Sequence, residues 1–125
     1  MYQKKLESDI RCPLEYGLEV FGGKWKPRVL CVLNAEGTLR YSGIRKEMVN
    51  VTDAVLANTL KELMAEGLLE RRSFDEIPPR VEYSLTEKGR SVIPILQSIC
   101  GWAGLYYKDG ADGYMERCRH CDHAN

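Results

Sequence analysis

Two strand-like segments, joined by a connection with two adjacent prolines, constrain the fold of this chain most. Residues 68–74 and 80–85 have the composition of strands, and apolar and polar residues alternate in the second segment. The connection contains Pro78 and Pro79, and a proline cannot donate a backbone hydrogen bond inside a ladder. These features predict an antiparallel hairpin whose connection projects from the tip as a wing.

Helical periodicity dominates the residues before this hairpin. Helices are predicted over residues 13–21 and 25–34, and a short extended piece is predicted at residues 38–40. Ser42 is expected to cap a short third helix that ends near residue 48, and Thr52 is expected to cap a fourth. The complete order is helix, helix, short strand, helix, helix, hairpin, helix. This order predicts the α+β, mainly α-helical winged helix-turn-helix fold.

The fourth helix is predicted to have one buried and one outward face. The buried face, by helical spacing, consists of Leu56, Leu60, Leu63 and Gly67. The outward face consists of Ala54, Ala57, Asn58 and Lys61. In a helix-turn-helix with its turn at residues 49–51, this outward face would lie in the major groove of double-stranded DNA, and the third helix would contact the backbone.

The last helix, which Thr86 is expected to cap, has a wider apolar stripe than one small core needs. The stripe consists of Val92, Ile95, Leu96, Ile99, Cys100, Trp102, Ala103 and Tyr106. Its surplus predicts a partner subunit and therefore a homodimer. Residues 1–107 are predicted to form one DNA-binding and dimerisation domain, and residues 108–125 a tail.

Composition limits the class of protein. The 125 residues are 44% hydrophobic and 29% charged, which suits one globular core. No segment approaches the roughly 18 apolar residues of a membrane span, and the amino terminus lacks the apolar core of a signal peptide. We therefore expect a cytoplasmic protein without membrane contact. The net charge of zero is unfavourable for DNA binding but does not exclude it, because affinity for phosphates depends on the local arrangement of cations.

Four short stretches resemble those of the HxlR-type regulators, bacterial winged-helix repressors and activators related to MarR proteins. The stretches are residues 12–15 (CPLE), 22–26 (GGKWK), 63–68 (LMAEGL) and 78–86 (PPRVEYSLT). The resemblance extends over residues 12–102. It implies a dimer built from the terminal helices, a fourth helix that contacts bases, and a wing whose Arg80 approaches the minor groove.

The resemblance also suggests roles for individual side chains. Those expected to hold phosphates are Arg40, Ser42, Arg45 and Lys46, and those expected to face base edges are Ala54, Ala57, Asn58 and Lys61. One departure concerns Asp53 and Ala54, because similar proteins commonly have glutamine and lysine at these positions. An aspartate there repels phosphate and can only accept a hydrogen bond, for which cytosine is the expected donor. The DNA sequence that this protein binds therefore cannot be inferred from the DNA sequences bound by related proteins.

The five cysteines are expected to differ in role. In some members of the family, a cysteine at the position of Cys12 senses oxidants or electrophiles. Cys12 precedes Pro13 at a helix start, where unpaired backbone N–H groups and Arg11 favour a thiolate, so we expect it to be the regulatory thiol. The alternative is a packed, unreactive cysteine. Cys31 and Cys100 lie among apolar residues and are expected to be inert.

Two cysteines in the tail leave further alternatives open. Cys118 and Cys121 have the spacing of half a zinc site, but four candidate ligands within six residues cannot easily form one tetrahedron, so no metal is predicted. A second alternative is a thiol enzyme that uses this pair of cysteines. A third alternative does not involve the cysteines and is a winged helix that contacts proteins instead of DNA. The chain has no nucleotide-binding glycine loop and no hydrolase nucleophile motif, so neither an enzyme nor a cofactor is expected.

Overall fold

The computed structural model describes residues 12–106, which contain five helices and one hairpin. The elements in chain order are α1 (Pro13–Phe21), α2 (Lys26–Glu36), α3 (Tyr41–Glu47), α4 (Asp53–Ala65), β1 (Leu69–Phe74), β2 (Arg80–Leu85) and α5 (Glu87–Gly104). This is the predicted winged helix-turn-helix in its predicted order. The predicted tail, residues 108–125, lies outside the described residues.

Local hydrogen bonds explain where the helices begin. The Thr52 hydroxyl oxygen accepts from the Val55 backbone N–H at 3.2 Å, so Thr52 caps α4 as predicted. The Thr86 hydroxyl oxygen accepts from the Gly89 N–H at 3.0 Å and caps α5 in the same way. The predicted cap of α3 is wrong. That helix begins at Tyr41, with Arg40 at the N-cap position and no side-chain cap, and Ser42 lies inside its first turn.

Glycines mark two helix ends. Helix α2 continues to Glu36, two residues beyond the predicted end, and Gly37 ends it with a φ of 85°. The prediction that Gly67 belongs to the buried face of α4 is wrong, because α4 ends at Ala65 and Gly67 is exposed. Gly67 has a φ of 79°, the left-handed conformation that lets the chain turn into β1.

The core lies between the helices and the inner face of the hairpin. Its fully buried large side chains are Val29, Leu30, Val32, Leu33, Ile44, Met48, Leu56, Leu60, Leu63 and Leu68. Helix α5 contributes Val92 and Leu96, as predicted, and also Ile93, which the apolar stripe omitted. The stripe residues Ile95 and Ile99 remain exposed. The described residues therefore cover only part of the apolar surface of α5.

The hairpin is held to the helices by a third extended piece. Strands β1 and β2 pair antiparallel, with Leu69 opposite Leu85 and Phe74 opposite Arg80. Leu39 forms an isolated bridge with Tyr83, in which the two residues exchange backbone hydrogen bonds of 3.1 and 2.8 Å. This bridge confirms the predicted extended piece before α3.

The turn after α4 is bound directly to the start of α5. The Thr86 hydroxyl donates to the Gly67 carbonyl oxygen at 2.6 Å, and the Thr86 backbone N–H donates to the Leu68 carbonyl oxygen at 3.0 Å. A Cβ atom at Gly89 would overlap that same Leu68 oxygen. The end of α4 and the start of α5 are therefore in close backbone contact.

Candidate nucleic-acid interface

The outward face of α4 is exposed as predicted. Its members Ala54, Ala57, Asn58 and Lys61 are all solvent-exposed. On the opposite side Leu56, Leu60 and Leu63 are buried and anchor the helix to the core. Ala54, Ala57 and Asn58 are short, so the amino-terminal half of this face is open to the approach of another molecule.

Helix α3 presents cations beside this face. The predicted phosphate-binding residues are Arg40, Ser42, Arg45 and Lys46, and all four are exposed. Asn50, in the turn between α3 and α4, has a φ of 69°, which reverses the chain within a few residues. The turn brings the carboxyl end of α3 next to the amino end of α4.

Asp53, the first residue of α4, accepts two hydrogen bonds from α3. The Arg45 Nε donates to the Asp53 Oδ1 at 2.8 Å, and the Tyr41 hydroxyl donates to the same oxygen at 3.1 Å. From the sequence, Asp53 was expected to repel phosphate and to act only as a hydrogen-bond acceptor. In the structure its charge is paired with that of Arg45.

Tyr41 was missed by sequence analysis. Burial raises the pKa of its hydroxyl above the ordinary value, and the hydrogen bond to Asp53 and the charge of that carboxylate raise it further, while Arg45 opposes the shift. Tyr41 and Arg45 are four residues apart on a helix and therefore lie on one face. That spacing is the sequence signal that could have indicated their joint contact with Asp53.

The wing holds Arg80 against the hairpin. Its guanidinium carbon lies 3.9 Å from the centroid of the Phe74 ring, the residue opposite it in the ladder. Its Nη2 lies 2.9 Å from a Glu76 carboxylate oxygen, and its Nη1 lies 3.6 Å from one of Glu82. The side chain is only 29% exposed. Contact with a minor groove, as the resemblance implies for Arg80, would require these ion pairs to open.

Most of the large exposed apolar side chains of the described part lie on its two terminal helices or directly after α5. They are Leu14, Tyr16 and Leu18 on α1, Ile95, Ile99 and Trp102 on α5, and Leu105 and Tyr106 immediately after it. Trp102 is 66% exposed, and its ring packs against that of Tyr106 with centroids 5.6 Å apart.

The cysteines occupy different environments. Cys12 is exposed at the N-cap position of α1, and its carbonyl oxygen accepts from the Glu15 and Tyr16 N–H groups. Cys31 is partly buried against the core, and Cys100 is half-buried on α5. Cys118 and Cys121 lie outside the described residues. Within residues 12–106, no three potential metal ligands cluster, and no helix is long and apolar enough to cross a membrane.

Comparison with known proteins identifies the family. The family model of the HxlR-like helix-turn-helix matches residues 20–111. An uncharacterized HTH-type transcriptional regulator of Methanothermobacter thermautotrophicus is 46% identical over 100 residues, which is 80% of this chain and 76% of that protein. Among solved structures, the HTH-type transcriptional regulator ytcD superposes with a TM-score of 0.72 at 38% identity, covering 77% of this chain and 97% of that one.

A second solved structure has a name that refers to redox regulation. The redox regulator HypR, in its oxidized form, superposes with a TM-score of 0.69 at 37% identity, covering 78% of this chain and 99% of that one. The sequence resemblance, the family model and the superposed winged helices all agree. The chain belongs to the HxlR-like helix-turn-helix family of transcriptional regulators.

Proposed function

We propose that this regulator binds an inverted-repeat operator in double-stranded DNA as a homodimer and responds to oxidants or electrophiles through Cys12. The observation that carries the DNA-binding part is the exposed face of α4 beside the cations of α3. In helix-turn-helix proteins the second helix of the pair enters the major groove. Here that face is formed by Ala54, Ala57, Asn58 and Lys61. The first three are small enough to permit close approach to base edges, and Lys61 adds a cation.

The homodimer follows from the uncovered apolar side chains of α1 and α5. Large side chains such as Trp102, Leu14 and Ile99 are costly to leave in water as a group, and a second copy of the same surface would cover them. A two-fold dimer would place its two α4 helices about 34 Å apart, or one turn of DNA. We therefore expect two half-sites related by inversion.

Two observations support the proposed redox response of Cys12. The thiol of Cys12 is accessible to small oxidants and lies at the start of a helix that the dimer would bury. A protein of the same fold at 37% identity is named a redox regulator. A change of covalent state at Cys12 would alter how α1 packs against a partner subunit, and so the spacing of the two α4 helices.

DNA binding is tested by selecting bound fragments from genomic DNA and then measuring affinity as a function of salt. If each subunit neutralises about four phosphates, the log–log slope should be about −7. Lys46→Ala should reduce the magnitude of this slope by about two, one phosphate per subunit. The control is Lys24→Ala, which removes an exposed cation on the α1–α2 connection and should leave the slope unchanged. A protein without salt-dependent binding to any fragment would instead support the protein-interaction alternative.

A further inference from the structure

Asp53 lies where a helix-turn-helix protein contacts bases. It is the first residue of α4, directly after the Thr52 cap, and in this class of protein the amino-terminal residues of the second helix reach the base edges. Its side chain is 75% exposed. A role for Asp53 in base recognition rests on the proposed DNA-binding function.

The carboxylate of Asp53 is held in place from one side. Its Oδ1 accepts from the Arg45 Nε at 2.8 Å and from the Tyr41 hydroxyl at 3.1 Å. Both donors come from α3, so the two hydrogen bonds fix the carboxylate relative to both helices of the pair. Within residues 12–106, the second oxygen, Oδ2, has no hydrogen-bond partner. One oxygen is therefore used to position the group, and the other is free to accept.

The chemistry of a carboxylate selects among the four bases. An ionised aspartate only accepts hydrogen bonds. In the major groove guanine presents the acceptors O6 and N7, thymine presents O4 and a methyl group, and adenine presents an amino group beside the acceptor N7. Cytosine presents the N4 amino group without an adjacent acceptor on the same base. A single fixed carboxylate oxygen therefore matches cytosine best.

The ion pair with Arg45 also removes the main objection to an acid at this position. A lone carboxylate near DNA is repelled by phosphates, and that repulsion would oppose binding at every sequence. The Arg45 guanidinium lies in direct contact with the Asp53 carboxylate, so the pair is close to neutral as a unit. Its Nη atoms have no partner among the described residues and can still donate to a phosphate.

We propose that Asp53 is a specificity-determining residue that accepts a hydrogen bond from the N4 amino group of one cytosine in each half-site, with Tyr41 and Arg45 as its positioning residues. Replacement of Asp53 should change which base is preferred at a single symmetric position of the operator. It should leave the preferences at other positions intact.

The experiment is selection from randomised DNA with the full chain, followed by affinity measurements on the selected operator. The wild type should select cytosine at one position per half-site. Asp53→Ala should lose preference there alone, and Asp53→Asn should shift it toward adenine, because an amide both donates to N7 and accepts from the amino group. Because Asp53 is highly exposed, these variants should fold, and circular dichroism checks that they do.

A chemical probe isolates the hydrogen bond itself. When that cytosine is replaced by 2-pyrimidinone, which lacks the N4 amino group, wild-type affinity should fall about tenfold, within the range for discrimination between bases. Asp53→Ala should bind both duplexes equally. The same replacement at a cytosine outside the selected positions is the control for changes in the duplex.

The positioning residues have a distinct signature. Tyr41→Phe should weaken the cytosine preference while the other positions keep theirs, whereas Lys46→Ala should lower affinity for all sequences without changing any preference. If wild type binds DNA and Asp53→Ala retains every preference, Asp53 does not contact a base and the inference is overturned while the proposed function stands. If wild type binds no DNA, both are overturned.

Discussion

The Lys88 Nζ lies 3.2 Å from the hydroxyl oxygen of Tyr16, which joins the first turn of α5 to α1. The same ammonium donates to the Glu66 carbonyl oxygen at 2.9 Å, at the carboxyl end of α4. Cations at this end of a helix are stabilising because they meet carbonyl groups that have no partner within the helix. One side chain therefore connects the helix of Cys12 with the helix proposed to enter DNA.

Lys88→Met should destabilise the protein by about 0.5–1 kcal/mol, because methionine keeps much of the apolar stem but cannot donate to the Glu66 carbonyl. Urea unfolding at fixed protein concentration measures the change. Lys61→Met is the matched control, since Lys61 is exposed and lies on α4 four residues before its last residue, Ala65. Equal urea midpoints for the two variants would show that the hydrogen bond from Lys88 to the Glu66 carbonyl does not contribute to stability.

Two glycines of α5 should respond to alanine with opposite signs. A Cβ at Gly89 would overlap the Leu68 carbonyl oxygen, which is backbone and cannot move aside, so Gly89→Ala should cost about 1–3 kcal/mol of unfolding free energy. Gly101 has no atom within 4 Å of that position, and Gly101→Ala should stabilise the helix by about 0.5–1 kcal/mol. Stabilisation by both substitutions would contradict the close contact between α5 and Leu68.

The hydroxyl of Tyr41 should ionise above the pH range of an ordinary tyrosine, because burial and the Asp53 carboxylate raise its pKa. The difference in ultraviolet absorbance between wild type and Tyr41→Phe isolates its titration. In Asp53→Asn the midpoint should move down toward the ordinary value. A midpoint in the folded protein at or below that of the urea-unfolded chain would contradict the hydrogen bond.

The same shift has a consequence for stability. Because the pKa of Tyr41 is higher in the folded than in the unfolded chain, its contribution is fully present below the unfolded pKa of about 10 and is lost as the pH rises through the folded value. Wild type should therefore lose more stability than Tyr41→Phe in that window. Urea midpoints measured across it, for both proteins, provide the comparison.

Trp102→Glu should convert a dimer into monomers, because it places a charge within the apolar surface proposed to bind a second copy. Sedimentation velocity at micromolar concentration measures the assembly state. Ile77→Glu is the control, since Ile77 is fully exposed in the connection between β1 and β2 and lies outside α1 and α5. A wild type that sediments as a monomer, or a Trp102→Glu variant that stays dimeric, would refute this interface.

Cys12→Ser should abolish the response of DNA affinity to diamide. In the expected reaction Cys12 and a second thiol give up two electrons and two protons to diamide, which becomes the hydrazine, and one disulfide forms. The double variant Cys118→Ser, Cys121→Ser should respond as wild type does. Loss of the response in the double variant, together with its survival in Cys12→Ser, would assign the signal to the tail.

The features that the sequence predicted correctly depend on residues close together in the chain. The caps by Thr52 and Thr86 depend on hydrogen bonds to residues three positions away, and the outward face of α4 depends only on helical spacing. Ser42 does not cap α3 because the helix begins at Tyr41, two residues sooner than a cap at Ser42 requires and soon after the bridge at Leu39.

The remaining features depend on contacts between distant elements. The hydrogen bonds of Asp53 depend on the angle between α3 and α4, which composition and periodicity do not specify. The position of Arg80 depends on the register that places it opposite Phe74, and on the acidic residues on either side. Arg45 was predicted to contact phosphate and Arg80 the minor groove, and in the structure both side chains form ion pairs within the protein.

The hydrogen bonds of Thr86 to the turn after α4 have a mechanical consequence. They leave no flexible linker between the helix proposed to enter the groove and the helix proposed to bind the second subunit. In a dimer, α4 and α5 of each subunit would therefore rotate together as one rigid body. A small rotation of a subunit about the contact with its partner would therefore displace α4 along the DNA. The displacement would increase with the distance of α4 from the rotation axis and would need no change inside either subunit.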